Sequence, residues 1–149
     1  MAVKPIPDGY HTVTPMLVVE GVDKLIGFLK QAFGAEEKER HSRPDGRVMH
    51  AEVRVGDSMM MMGEPMGNFK HMPGSFYLYV EDVDAVYRKA IEAGATSVME
   101  PADQFYGDRN GGVQDSIGNL WWIATRKEDV APEELSRRAQ AAMQQKQGA

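Results

Sequence analysis

The stretch VEGVDKLIGFLKQAFGAEE (residues 19–37) is answered further along the chain by VEDVDAVYRKAIEAGATSV (80–98). Both begin Val-Glu-x-Val-Asp, run through a helical pattern and reach Gly-Ala. Val19 corresponds to Val80, an offset of 61. A second pair, RVGDSMMMM (54–62) and SIGNLWWIA (116–124), sets Gly56 on Gly118 at an offset of 62. Two anchors with nearly one offset predict a duplicated module of about 60 residues.

Outward from these anchors, each module reads alike. Strand-like runs TVTPMLVV (12–19) and SFYLYV (75–80) come first. Asp23 or Asp84 then opens a helix, with apolar residues at helical spacing: Val22, Leu25, Ile26, Leu29 and Phe33, then Val83, Val86, Tyr87, Ala90 and Ile91. Gly34 and Gly94 end these helices. Strands are predicted at 35–42, 47–55 and 58–63 in the first module, and near 95–100, 111–115 and 119–125 in the second. The predicted fold class is α+β: two tandem βαβββ modules, residues 8–66 and 73–127. Residues 128–149 form a C-terminal helical tail, with Pro132, Glu133 and Glu134 suiting its first turn.

The offset of 62 sets Met59–Met62 against Trp121, Trp122, Ile123 and Ala124. Four consecutive methionines then form a strand buried on both faces. A thioether metal site is disfavoured because alternation sends neighbouring sulfurs to opposite faces. Met60 and Met62 are the pair expected to line a cavity, where polarisable side chains suit an irregular apolar ligand.

Composition limits the function classes. The chain has 149 residues, is 42% hydrophobic, and carries a net charge of −5 without a basic stripe. Nucleic-acid binding rests on clustered Lys and Arg and is excluded as the expectation. No cysteine is present, so disulfides, thiolate metal sites and a cysteine nucleophile are out. No apolar run reaches the roughly 18 residues of a membrane span, and the N-terminal MAVKPIPDGYH lacks a signal-type apolar core, so a cytoplasmic, membrane-free protein is expected.

Two polar constellations remain. In RVMHAEVRV (47–55), parity places Met49, Ala51, Val53 and Val55 on the helix-covered face and His50, Glu52 and Arg54 on the other, either a solvent edge or a cleft wall. In DQFYGDRNGG (103–112), read as a Gly-rich connection, Tyr106, Asp108 and Arg109 are either a turn with a surface ion pair or charged groups held over a ligand.

The repeated module, with FLKQAFGA, GRVMHAEVRVGDS, YVEDVDAV, DQFYGDR and DSIGNLWWIAT, resembles the vicinal oxygen chelate superfamily, in its PhnB-like glyoxalase/bleomycin-resistance branch. The resemblance spans about residues 8–130 and implies half-barrel sheets around a shared cavity and a homodimer, often with exchange of modules between chains. It also implies four metal-ligand positions, here Thr14, Met60, Ser75 and Trp122. Two hydroxyls, a thioether and an indole suit a hard divalent ion poorly, so no cofactor is predicted, and a metal is left to residues outside these four. The leading expectation is a binding protein that encloses an apolar or aromatic molecule, such as an antibiotic, using Thr14, Met60, Met62, Ser75, Tyr77, Tyr79 and Trp122. The alternatives are a lyase, isomerase or dioxygenase-like enzyme using His50 and Glu52 with Tyr106, Asp108 and Arg109, and a protein-interaction scaffold acting through the C-terminal helix.

Overall fold

The computed structural model of the chain describes residues 2–147; the last two residues of the expected tail, 148 and 149, lie outside them. The chain is α+β, with two tandem modules and a third, C-terminal helix. Module one runs β1 (Met16–Val18), α1 (Val22–Phe33), β2 (Glu36–Ser42), β3 (Val48–Val55) and β4 (Ser58–Gly63). Module two runs β5 (Ser75–Tyr79), α2 (Val83–Glu92), β6 (Thr96–Asp103), β7 (Asp108–Gln114) and β8 (Leu120–Arg126), followed by α3 (Pro132–Gln147). The sheet orders are β1-β4-β3-β2 and β5-β8-β7-β6. Each sheet is mixed, because its first strand lies parallel to its last.

Helices α1 and α2 each cover one face of the sheet of their own module. Beneath α1 lie Val48, Ala51, Val53, Met60 and Met62, all in a single core with Val22, Leu25, Ile26 and Leu29. That core runs into module two through Trp121, which is fully buried, stacks on Phe76 at 4.7 Å and meets Phe33 at a tilt, 5.3 Å between ring centroids. The modules also meet through α1 and α2, which pack on one another.

Neither helix is capped by the aspartate expected to open it. The first residue outside α1 is Gly21, and its N–H and that of Val22 each donate to Glu64 Oε1 at 2.9 Å from just beyond β4. In α2, Asp82 accepts from Ala85 N, and Thr125 Oγ1 accepts from Val83 N at 2.9 Å. Asp23 and Asp84 sit inside the first turns, where a carboxylate still complements the helix dipole.

Three expected registers change. His41 faces His50, but Ser42 faces Val48, so Met49 is the extra residue of a bulge. Val48 takes the core position expected for Met49, which is exposed. Gly63 accommodates this bulge, since a Cβ there would lie 2.4 Å from the Met49 carbonyl oxygen. In the last strands, Met61 pairs with Met16 and Trp122 with Tyr77. The module offset is therefore 61 here as well, and Met60 corresponds to Trp121 rather than to Trp122. The two-residue turn at Gly56-Asp57 is shorter than the connection 115–119, so Gly56 and Gly118 are not equivalent. Finally, Asp108–Gly112 belongs to β7 rather than to a loop. Its glycines serve close packing: a Cβ on Gly112 would meet the Trp122 ring at 2.5 Å.

Among the described residues, no helix is long and apolar enough to cross a membrane.

Candidate functional site

Alternation along β5, β7 and β8 brings Tyr77, Tyr79, Asp108, Asn110 and Trp122 to the face of sheet two that no helix covers. Asp108 is 3% exposed and its Oδ2 accepts from Tyr77 Oη at 2.7 Å and Tyr79 Oη at 2.9 Å. Asn110, 2% exposed, donates through Nδ2 to Tyr77 Oη and to Tyr106 Oη at 2.9 and 2.7 Å. Its Oδ1 is buried without a hydrogen-bond partner among the described residues. Arg126 approaches Asp108 Oδ1 at 3.5 Å from the strand end. The Tyr106 hydroxyl accepts from Asn110, which leaves its own hydrogen to offer to a bound molecule.

Burial is the main force raising the Tyr77 phenol well above its ordinary value, and donation to Asp108 adds to it. Tyr79 is raised chiefly by its hydrogen bond to Asp108, because losing the proton would set two anions together. In a spectrophotometric titration these two tyrosines should ionise above the ordinary value of about 10. Asp108→Asn should bring Tyr79 most of the way down and Tyr77 only part of it. A raised folded-state value means that the stabilisation is complete below the unfolded value and is lost as pH rises through the folded one. Overlapping titrations of wild type and variant would remove Asp108 as the cause.

Between the modules lies a cavity of about 680 Å³. Phe33 and Met60 line it from module one, Phe76, Leu78, Val86 and Trp121 from module two, with Asp57 and Lys89 also on its wall. Tyr77 and Tyr79 of β5, the edge strand of its sheet, also border it, so the tyrosine cluster and the cavity share a strand.

On the uncovered face of sheet one, His50 Nε2 lies 3.2 Å from Glu52 Oε2. Glu39 stands opposite Glu52 and His41 opposite His50.

The sequence-derived candidates therefore fall into several places. Tyr77, Tyr79, Tyr106 and Asp108 come together. Trp122 lies on the same sheet face and is half-buried, while Ser75 is exposed at the start of β5. Met60 lines the cavity, but Met62 is 1% exposed beneath α1 and does not reach it. Thr14 precedes β1 and donates to the His11 carbonyl. Arg109 leaves its expected partner Asp108 altogether: it points to the other face of β7 and makes a two-pronged bond to Asp84 at 2.9 and 3.0 Å. That guanidinium holds the Asp84 carboxyl below its usual range. His50 and Glu52 stand on the other sheet, so the expected catalytic set is not one constellation. Asn110 was legible from alternation through Asp108, had the stretch been read as a strand. With the ladders in register, the four positions implied for a metal become Thr14, Met61, Ser75 and Trp122. These offer no imidazole or carboxylate and do not suit a divalent ion.

Residues 10–123 match the model of the Glyoxalase/Bleomycin resistance protein/Dioxygenase superfamily. An uncharacterized protein of Mycobacterium tuberculosis (strain ATCC 25618 / H37Rv) is 34% identical over 142 residues, covering 88% of this chain and 81% of its own. Among solved structures, TioX from Micromonospora sp. ML1 is similar at a TM-score of 0.67 and 23% identity, over 78% of this chain and 98% of that one. The PhnB protein from Bacillus cereus superposes at a TM-score of 0.64 and 18% identity, over 77% and 99%. At those identities the two structures share the fold.

Proposed function

The chain belongs to the Glyoxalase/Bleomycin resistance protein/Dioxygenase superfamily, and from that premise we propose that it is a small-molecule binding protein taking an apolar or aromatic ligand between its modules. The observation that carries this reading is the cavity of about 680 Å³, to which both modules contribute aromatic and aliphatic side chains beside polar ones. A site for a drug-sized molecule typically measures about 300–1,000 Å³, with few polar groups among apolar ones. Phe33 and Phe76 supply flat surfaces, with the fully buried Trp121 packed behind them, while Lys89 and Asp57 supply charge. An aromatic antibiotic is one ligand of this class. The tyrosine cluster at Asp108 lies along the same strand and would orient a polar substituent.

The protein would work as a cytoplasmic homodimer. Met16 and Tyr79 are 63% exposed on sheet faces that no helix of their own chain covers, and a second copy would shield them. Native mass spectrometry of freshly purified protein reads both the dimer and any retained organic adduct.

The decisive variant is Val86→Trp, because Val86 lines the cavity from the half-buried surface of α2, where a larger side chain fills space without replacing core. Calorimetric titration with a panel of aromatic antibiotics and planar aromatic acids should yield a ligand that binds wild type. That ligand should bind Val86→Trp about tenfold or more weakly, a loss of about 1.4 kcal/mol. Equal affinity in a folded variant would remove the cavity as the binding site.

A further inference from the structure

We propose that Glu39, His50 and Glu52 form a divalent-cation site on the uncovered face of sheet one, separate from the inter-module cavity. One ligand atom from each lies within 4.8 Å of the other two. A first-row divalent ion sits about 2.0–2.2 Å from nitrogen and carboxylate ligands. Its ligands are then somewhat closer together than these are, and partly exposed side chains close such a gap by turning about their own bonds.

The backbone builds the cluster. Glu39 and Glu52 are directly opposed across the β2–β3 ladder, as are His41 and His50. A register shift between Glu37 and Glu39 sends Glu37 toward Lys30 of α1 and leaves Glu39 beside Glu52. Directly opposed like charges are unfavourable in an antiparallel pair, and the neighbouring cations do not relieve this one. Arg54 and Lys38 both bind Glu36, and Arg40 binds Asp23 and Glu37. The two carboxylates instead meet imidazoles of their own strands, His41 with Glu39 at 3.0 Å and His50 with Glu52 at 3.2 Å. A doubly charged ion between them removes the repulsion and uses both contacts: His50 becomes a ligand, and His41 orients Glu39 from behind.

The donor set chooses the ion. One imidazole with two carboxylates suits zinc, cobalt, nickel, manganese or ferrous iron, and is less suited to calcium, which takes oxygen ligands alone, or to cuprous copper, which takes sulfur. Three protein ligands leave positions for water or a further oxygen donor. Space for it is present: Glu39 and Glu52 line a second cavity of about 370 Å³ with Tyr10, Lys38, Arg54 and Met59. The Tyr10 hydroxyl is buried without a hydrogen-bond partner among the described residues.

The test is zinc titration of chelator-treated full-length protein against a chromophoric competitor, with native mass spectrometry for stoichiometry and the visible spectrum of a cobalt-loaded sample for ligand type. Wild type should bind one ion per chain. Glu52→Gln and His50→Ala should each weaken binding by about tenfold or more, while His71→Ala, whose imidazole accepts from Glu20 N at the opposite edge of sheet one, should not. His41→Ala should weaken it less than His50→Ala and keep the cobalt spectrum. Absence of stoichiometric zinc in wild type, or full affinity in both Glu52→Gln and His50→Ala, would overturn the assignment. Circular dichroism on each variant separates lost ligands from lost fold.

Discussion

Replacing Asp115 with alanine should cost about 4 kcal/mol of stability, among the largest effects of any polar substitution in this chain. Asp115 is 5% exposed and accepts five hydrogen bonds. Its Oδ1 takes the backbone N–H groups of Ile117, Gly118 and Asn119 at 2.9–3.0 Å, which folds the connection between β7 and β8. Its Oδ2 takes Asn119 Nδ2 at 2.9 Å and the Trp121 indole N–H at 2.8 Å. Asn119 in turn accepts from Gly74 N at the start of β5. Alanine would leave the Asn119 and Trp121 donors buried with nothing to receive them, at about 1–3 kcal/mol each. Asp115→Asn keeps one good acceptor and should cost roughly half as much. Urea denaturation read by tryptophan fluorescence measures both; a loss under about 1 kcal/mol for the alanine variant would show that the connection holds itself.

Trp121→Ala should be comparably severe, about 3–5 kcal/mol, and should lower the melting temperature by about 10 °C. The indole has no solvent exposure and touches Phe28, Phe33 and Phe76, so its loss opens a void where the modules join. Trp121→Phe keeps ring packing and removes only the N–H, so it should cost less than half of this. Because Asp115 and Trp121 bond to each other, the double alanine variant should be milder than the sum, by about 0.5–3 kcal/mol. Strict additivity would mean that the 2.8 Å contact contributes nothing.

The architecture was legible because the duplicated helix pattern is strong and the modules differ little in length before their last turns. The site was less legible, for a reason of parity. A one-residue slip in strand register exchanges every side chain between faces, and the paired glycines Gly56 and Gly118 invited that slip. It put Met60 on the tyrosine face instead of the helix face, although Met60 still borders the cavity. Met49 escaped for the same reason, since nothing in RVMHAEVRV announces a bulge. Glycine misled a second time in DQFYGDRNGG, where residues taken as loop punctuation are strand positions that admit the Trp122 ring. Arg109 and Asp108, adjacent in sequence, were read as a pair, but neighbours on a strand point apart and each found another partner.

The caps at Glu64 and Thr125 bear on how the chain comes to be folded as it is made. Each closes a span of 42 residues, from the first residue of a helix to the end of the last strand of its own module. A 12-residue helix is marginal alone in water, so α1 gains its final anchor only once residue 64 has left the ribosome. From then on module one has its own closure, yet Phe28 and Phe33 wait for Trp121, synthesised far later. Nascent chains thus pass through an interval in which a locally complete unit displays an aromatic face, the stage at which a growing chain depends most on chaperones or on a neighbouring copy.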